Sequence, residues 1–285
     1  MLTLSPSGLL SSRIIDIDKY VDLDPTYISR YLILAGIIDS YRYHKSDQKL
    51  KILEVGGSGS ILSHFIDTDL TIIDILPNRD KLANYIQGSA LAMPFADKSY
   101  DMVISSDVLE HIPNDDRTAF LKELSRVTKD IVVVAAPFNL PGVRSAEISA
   151  NNFYKDMIGE DHRWLAEHLV DELPNLNQTK SILENKGMET GHFCHTTLYY
   201  WQLITRTGFI LAHYGGKKDF VEKIRSINRH YMEKIMSEDF SSIGYRTFII
   251  ASKKHEIDIK LDDEKDRASD VEILDLLTEA IATLL

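Results

Sequence analysis

The stretch "KILEVGGSGS", Lys51 to Ser60, sets a short apolar run directly before an acid and a cluster of Gly and Ser. "KILEV" reads as a buried strand. A glycine-rich turn leaving a strand lets backbone N–H groups approach an anionic or polar ligand, because Gly has no Cβ to hold it off. The same residues also make ordinary strand-to-helix turns, so the stretch alone leaves both readings open. The next strand, "LTIID" (Leu70 to Asp74), adds a second feature. It ends in an acid eighteen residues after Gly56, where a carboxylate accepts both hydroxyls of a ribose. The plainer reading of Asp74 is a turn residue before Pro77. The frame Gly57-Ser58-Gly59-Ser60-Ile61-Leu62 has Leu in place of the third glycine of the dinucleotide fingerprint, which disfavours NAD. Glu54, two residues before Gly56, suits an ammonium group and hence an amino-acid-like ligand.

Working outward, "YDMVISS" (Tyr100 to Ser106) and "IVVVAA" (Ile131 to Ala136) are further strands. Between them, Phe120, Leu121, Leu124 and Val127 recur at helical spacing behind Asn114 or Asp115 as cap. Strands alternating with helices predict an α/β, doubly wound, mostly parallel sheet. Residues 1–48 read as an N-terminal helical segment, with Asp24 as cap and Pro25 at the first helical position of its main helix. The domain itself spans 49–254, with insertions at about 139–178 and 196–243. "TKSILENKGMETGHF" reads as a helix stopped at Gly187 and then a strand, and "YRTFIIASKK" as a late strand. An acidic helical tail is expected over 255–285, with Ser269 as cap and Val271, Leu274, Leu277 and Ile281 at helical spacing.

The 285 residues carry a net charge of -11, of which the segment from His255 onward supplies -7 through ten acids and three bases. An acidic body without a basic stripe argues against nucleic acid as partner. No run approaches the roughly 20 apolar residues of a membrane span. The N-terminal sequence has no basic leader followed by an apolar stretch, so no cleaved signal is expected. The single cysteine, Cys194, fits a cytoplasmic protein.

"ILEVGGSGS", "TIIDILP", "GSALAMPFADKSYDMVISSDVLEHIP" and "IVVVAAPF", in this order and spacing, resemble the successive motifs of class I S-adenosylmethionine-dependent methyltransferases, in particular the type 11 group. The resemblance covers about residues 50 to 138, and "MPFADKSYDMVISSDVLEHI" is its most specific part. It implies a Rossmann-like, seven-stranded sheet whose last strand inserts antiparallel, with S-adenosylmethionine as cofactor. Carried over by position, Glu54, Gly56, Gly57 and Ser58 would line the methionine end. Asp74 would hold the ribose, with Ile75 against the adenine. Ser89, Ala90 and Leu91 would border that ring, and Ser106 and Asp107 would face the methionine portion and the reacting centre. Ser58 and Ser60 stand where the family commonly has Gly, and Ser89 where many members have Asp.

Methyl transfer from a sulfonium needs alignment and dehydration, and a hydroxyl acceptor adds the need for a base. His111, in "LEHI", is one candidate, and helix capping is its other reading. His162 is the second candidate, within the cluster Asp161-His162-Arg163-Trp164 that suits a sugar or other polar ring. A solvated helix start is its plainer reading. "His192-Phe-Cys-His195" gathers metal-type ligands, but a strand turns alternate side chains to opposite faces, so no metal is predicted. The Asn/Asp-Pro-Pro-aromatic motif of base methylation is missing, Ser106-Asp107-Val108-Leu109 standing in its place. The expected activity is therefore methylation of a hydroxyl, or an amine, on a small polar acceptor such as a glycan or glycolipid precursor. Its alternatives are C-methylation of a quinone or lipid precursor and a noncatalytic S-adenosylmethionine-binding scaffold. The long helical cap and tail admit a homodimer.

Overall fold

The central strands are buried along almost their whole length, and successive residues join two opposite cores, so the sheet is covered on both sides. The computed structural model describes residues 1–11, 13, 15–46, 49–261, 275–277 and 279–280. In chain order the elements are β1 (Leu2–Leu4), α1 (Pro6–Ser11), α2 (Ile17–Tyr20), α3 (Pro25–His44), β2 (Lys51–Val55), β3 (Asp69–Asp74), β4 (Tyr85–Gln87) and β5 (Tyr100–Ser106). They continue with α4 (Asn114–Val127), β6 (Thr128–Ala136), α5 (Val143–Ile158), α6 (Arg163–Val170), α7 (Leu176–Glu184) and β7 (Glu189–His195). Last come α8 (Leu198–Tyr214), α9 (Lys218–His230), β8 (Phe240–Ser241), β9 (Arg246–Ser252) and β10 (Ile257–Ile259).

The main sheet runs β4-β3-β2-β5-β6-β9-β7-β8. The pairs from β4 to β6 are parallel, and β9 inserts antiparallel to both β6 and β7. This is the expected seven-stranded, doubly wound arrangement, extended at one edge by the two-residue β8. Ile52, Ile72, Met102, Ile104, Ile131 and Val133 face a core built with α3, α8 and α9. Leu53, Val55, Ile73, Val103, Val132 and Val134 face the other core, with α4 and α7.

One face depends on the N-terminal segment. The β2–β3 connection holds only a short 3₁₀ turn, Leu62–His64, so no crossover helix covers β2 and β3 there. α3 fills that place, with Ile33, Leu34, Ala35 and Ile37 fully buried. Its start matches the expected cap: Asp24 accepts from Thr26 N at 2.7 Å, with Pro25 at the first position. α4 begins at Asn114, so the cap position falls on Pro113 and not on Asn114 or Asp115 as expected, which places Asp115 and Asp116 in the first turn, where acids suit the helix dipole.

The N-terminal segment, read as mostly helical, opens with a strand, and so does the tail. β1 pairs parallel with β10, Leu2 opposite Ile257 and Leu4 opposite Ile259. Three-residue strands carry too little alternation to be read from sequence. The expected tail helix falls mostly outside the described residues, with helix seen at 275–277 and 279–280. Residues 139–178 form α5 and α6, which bury Val143, Ala146, Ala150 and Leu165 with Trp201 of α8. Among the described residues, no helix is long and apolar enough to cross a membrane.

Candidate active site

The parallel register aligns the strand ends: Val55 of β2 sits opposite Ile73 of β3 and Ser105 of β5. Gly56, Asp74 and Ser106 therefore share the C-terminal edge of the sheet. The chain runs outward from β2 to β3 and β4, then returns to β5 on the other side of β2. Such a switch point opens a crevice for a ligand between the two strands.

The first two positions of the turn after β2, Gly56 and Gly57, leave no room for a side chain. Gly56 has φ +81°, and a Cβ there would come within 2.1 Å of Val108 Cγ2. At Gly57 a Cβ would meet Ile72 Cγ2 at 2.8 Å. Glu54 lies beneath the turn, 2 % exposed, and accepts from Ser60 Oγ at 2.7 Å. Ser60 Oγ also accepts from Leu62 N at 3.1 Å, so this serine braces the carboxylate and the loop together. Burial pushes the Glu54 carboxyl up to about 7, against the opposing pull of Ser60 and Arg30. Asp74 accepts from Ser58 N at 2.9 Å and Leu76 N at 2.8 Å, one amide on each oxygen. Each oxygen keeps a further lone pair for a diol.

Ile75 projects beyond β3 and is 68 % exposed. Ser89 Oγ accepts from Leu91 N at 3.2 Å, bracing its own turn, while Ala90 and Leu91 pack on the α4 side core. Asp107 sits in the left-handed region, φ +53°. Its carboxylate is gripped by Arg246, Nε to Oδ1 at 2.7 Å and Nη2 to Oδ2 at 2.6 Å, and by Arg30 Nη1. Burial pushes the Asp107 carboxyl up, but the two guanidiniums outweigh it and hold it well below the usual carboxylate range. Arg30 lies over the rings of Tyr27 and Tyr31, at 4.9 and 4.7 Å, and Tyr27 OH donates to Gly59 O at 2.6 Å. α3 is thus fastened to the glycine turn. Sequence reasoning passed over Arg30 and Arg246 because they are remote from the motifs; Tyr27, Arg30 and Tyr31 at i, i+3 and i+4 behind the Asp24 cap were the available signal.

His111 follows Ser106 and Asp107 on the 3₁₀ turn Leu109–His111. It stands edge-on to Trp164 at 5.5 Å and beside His168 at 4.7 Å. Burial first, and then His168, lower its pKa. His162 is separate from this group: its ring packs on Tyr154 and Phe209 at 5.0 and 4.8 Å, and burial lowers its pKa. Of the rest of the expected ring-binding cluster, Asp161 turns to other partners while Arg163 and Trp164 stay together. Asp161 accepts from Asn151 Nδ2 at 2.7 Å and Lys155 Nζ at 3.0 Å, and Arg163 lies 4.4 Å over Trp164. His195 uses both ring nitrogens, on Thr196 Oγ1 and Met236 O, each at 2.9 Å. A ligand set the linear spacing did not suggest is Glu110, His111 and His168, whose ligand atoms lie within 4.8 Å of one another.

Residues 53–134 match the family model described as a methyltransferase domain. An uncharacterized methyltransferase of Mycolicibacterium gilvum (strain PYR-GCK) is 31% identical over 96 residues, covering 30% of this chain and 37% of that protein. One from Mycobacterium tuberculosis (strain ATCC 25618 / H37Rv) is 32% identical over 90 residues, covering 27% and 35%. The chain spans about a third of the length of the curated relatives it matches. A SAM-dependent methyltransferase structure from Thermotoga maritima is similar with a TM-score of 0.46 and 13% identity, over 80% of this chain and 89% of that one. Over 53–134 the chain is similar to a methyltransferase domain, and the glycine turn, the acid ending β3 and the inserted antiparallel β9 agree with that similarity.

Proposed function

We propose that the chain transfers the methyl group of S-adenosylmethionine to a hydroxyl, or an amine, of a small polar acceptor. The observation that carries the reading is Asp74, held at the switch point by the turn's own amides, 2.9 Å from Ser58 N, with accepting capacity left for a ribose. Glu54 below the turn suits the ammonium of the methionine portion. Arg30 Nε, Ser105 Oγ and Ser106 Oγ are buried without partners, as groups awaiting a polar ligand would be.

When bound, S-adenosylmethionine supplies a methyl group on a sulfonium that departs as a neutral thioether. What remains for the protein is to align the acceptor, exclude water and deal with the acceptor's proton. We assign His111 to that proton, since it adjoins the segment 106–110 at the end of β5. His162, enclosed by Tyr154 and Phe209, would border the acceptor through the cap helices. Trp164, 46 % exposed under the Arg163 guanidinium, offers a flat face to a sugar-like ring, which favours a glycan or glycolipid precursor as acceptor. A cytoplasmic setting belongs to the same reading, supported by the single free cysteine.

The test is a methyl-transfer screen with radiolabelled S-adenosylmethionine against hydroxylated and aminated glycan precursors. Label incorporation that falls at least about a hundredfold in His111→Ala, with cofactor affinity retained, supports the assignment. Incorporation unchanged in that variant removes His111 from the chemistry.

A further inference from the structure

The turn Leu109–His111 brings two adjacent side chains to a third, 57 residues further on, in helix α6. One ligand atom each from Glu110, His111 and His168 lies within 4.8 Å of the others. Glu110 is 4 % and His168 5 % exposed, and His111 is more open, its side chain 27 % exposed.

Both imidazoles have their Nδ1 against a carboxylate. His168 Nδ1 is 2.8 Å from Glu147 Oε1, and His111 Nδ1 is 3.2 Å from Glu167 Oε2. An ionised carboxylate can only accept, so each Nδ1 carries a proton and donates it. In a neutral ring the other nitrogen is then a bare lone pair. With both rings neutral, the two Nε2 atoms point lone pairs at one another across 3.4 Å, which is repulsive unless a proton or a metal cation lies between them. Two nitrogens each about 2.0–2.1 Å from a tetrahedral ion stand about 3.3–3.4 Å apart, which matches the observed spacing.

Glu110 Oε2 supplies the third point. It is buried and has no hydrogen-bond partner, a costly state for a carboxyl oxygen that a cation would relieve. The support behind the histidines is also in place. Glu147 is fully buried and receives Tyr245 OH at 3.1 Å, while Tyr245 stacks on Trp201 at 3.9 Å. A carboxylate behind each histidine fixes the tautomer that leaves Nε2 free to ligate.

We propose that Glu110, His111 and His168 bind a divalent transition-metal cation of the zinc, manganese or iron class, through one carboxylate oxygen and two Nε2 atoms. A His₂Glu set leaves at least one coordination position open. The role of the ion rests on the methyl-transfer reading: a hydroxyl coordinated there releases its proton to solvent more readily. Its oxygen then forms the new bond to the methyl carbon as the carbon–sulfur bond breaks. His111 thus acts on the acceptor's proton through the metal.

The test uses the full chain, stripped with a chelator and titrated with Zn²⁺, Mn²⁺ and Co²⁺. Bound metal is measured by plasma mass spectrometry and the Co²⁺ form by its visible d–d bands. S-adenosylmethionine titrations and thermal melts run in parallel. The expected result is about one equivalent of tightly held cation with a Co²⁺ spectrum. His168→Ala and His111→Ala should abolish both, and Glu147→Gln should weaken binding by about 10- to 100-fold. His111, being more open, provides a variant that folds if His168→Ala does not. No cation above background on the folded wild type, or an unchanged Co²⁺ spectrum in folded His111→Ala, overturns the proposal. Cation binding without S-adenosylmethionine binding leaves the metal site standing and removes the cofactor reading instead.

Discussion

Arg246 holds Asp107 in a two-bond grip, Nε to Oδ1 at 2.7 Å and Nη2 to Oδ2 at 2.6 Å, tying β9 to the end of β5 beside the cofactor crevice. Arg30 of α3 joins the same carboxylate. Three segments remote in sequence are therefore locked at the point where the reacting centre is expected.

Removing Arg246 should destabilise the protein, because it takes the bidentate partner from a part-buried carboxylate and leaves the buried Arg30 as its remaining ion-pair partner. Arg246→Ala is expected to cost about 3–5 kcal/mol, and Arg246→Lys somewhat less, read as a lower midpoint in urea with an unchanged slope. The pH dependence has a definite sign. Asp107 is held below its ordinary value in the folded state, so its contribution is present above the unfolded carboxyl pKa of about 3.9 and disappears as pH falls through the folded value. Wild type should lose stability below about pH 4 more steeply than Arg246→Ala.

Glu54 has the opposite sign. Its carboxyl is pushed up to about 7 by burial, so the stability it contributes to the ligand-free protein is present below the unfolded value and lost as pH rises through about 7. Binding a cationic ammonium requires the ionised form. Cofactor affinity is therefore expected to fall roughly tenfold per pH unit below that crossover, with proton release on binding near neutrality. Calorimetry in buffers of different ionisation enthalpy would detect the proton, and Glu54→Gln should remove both the release and the pH dependence.

Gly56 is expected to tolerate no side chain. Gly56→Ala combines a positive φ of +81° with a Cβ 2.1 Å from Val108 Cγ2, and should cost about 1–3 kcal/mol and weaken cofactor binding. Gly208, inside α8, is the contrast, since a Cβ there would meet nothing within 4 Å. Gly208→Ala should stabilise the protein by up to about 1 kcal/mol, with melting temperatures as the readout for both.

What could be read in advance follows physical range. "KILEV" and "YDMVISS" were legible because a buried parallel strand is a compact apolar run, and α4 because Phe120, Leu121, Leu124 and Val127 repeat at helical spacing. Asp24 and Pro25 marked the start of α3, yet nothing local told that α3 substitutes for a crossover helix over β2 and β3. β1 and β10 were too short to carry a period. The acids and glycines of the crevice lie within one β-turn-β unit and were found together. Arg30, Asp107 and Arg246 meet only in the fold, and His111 and His168 are 57 residues apart, so neither constellation had a linear signature. Two of the serines that depart from the family pattern have local work through their hydroxyls: Ser60 braces Glu54, and Ser89 braces its own turn; Ser58 gives Asp74 a backbone amide, as glycine would.

The most direct measurement is calorimetric titration of the wild-type protein and Asp74→Ala with S-adenosylmethionine, S-adenosylhomocysteine and NAD, with a melt of each protein as the folding control. Micromolar binding of the first two ligands and not the third is expected, with its loss in a folded Asp74→Ala. Absence of binding to wild type, or unchanged affinity in the variant, would contradict the assignment of the crevice at the end of β2 and β3 as the cofactor site.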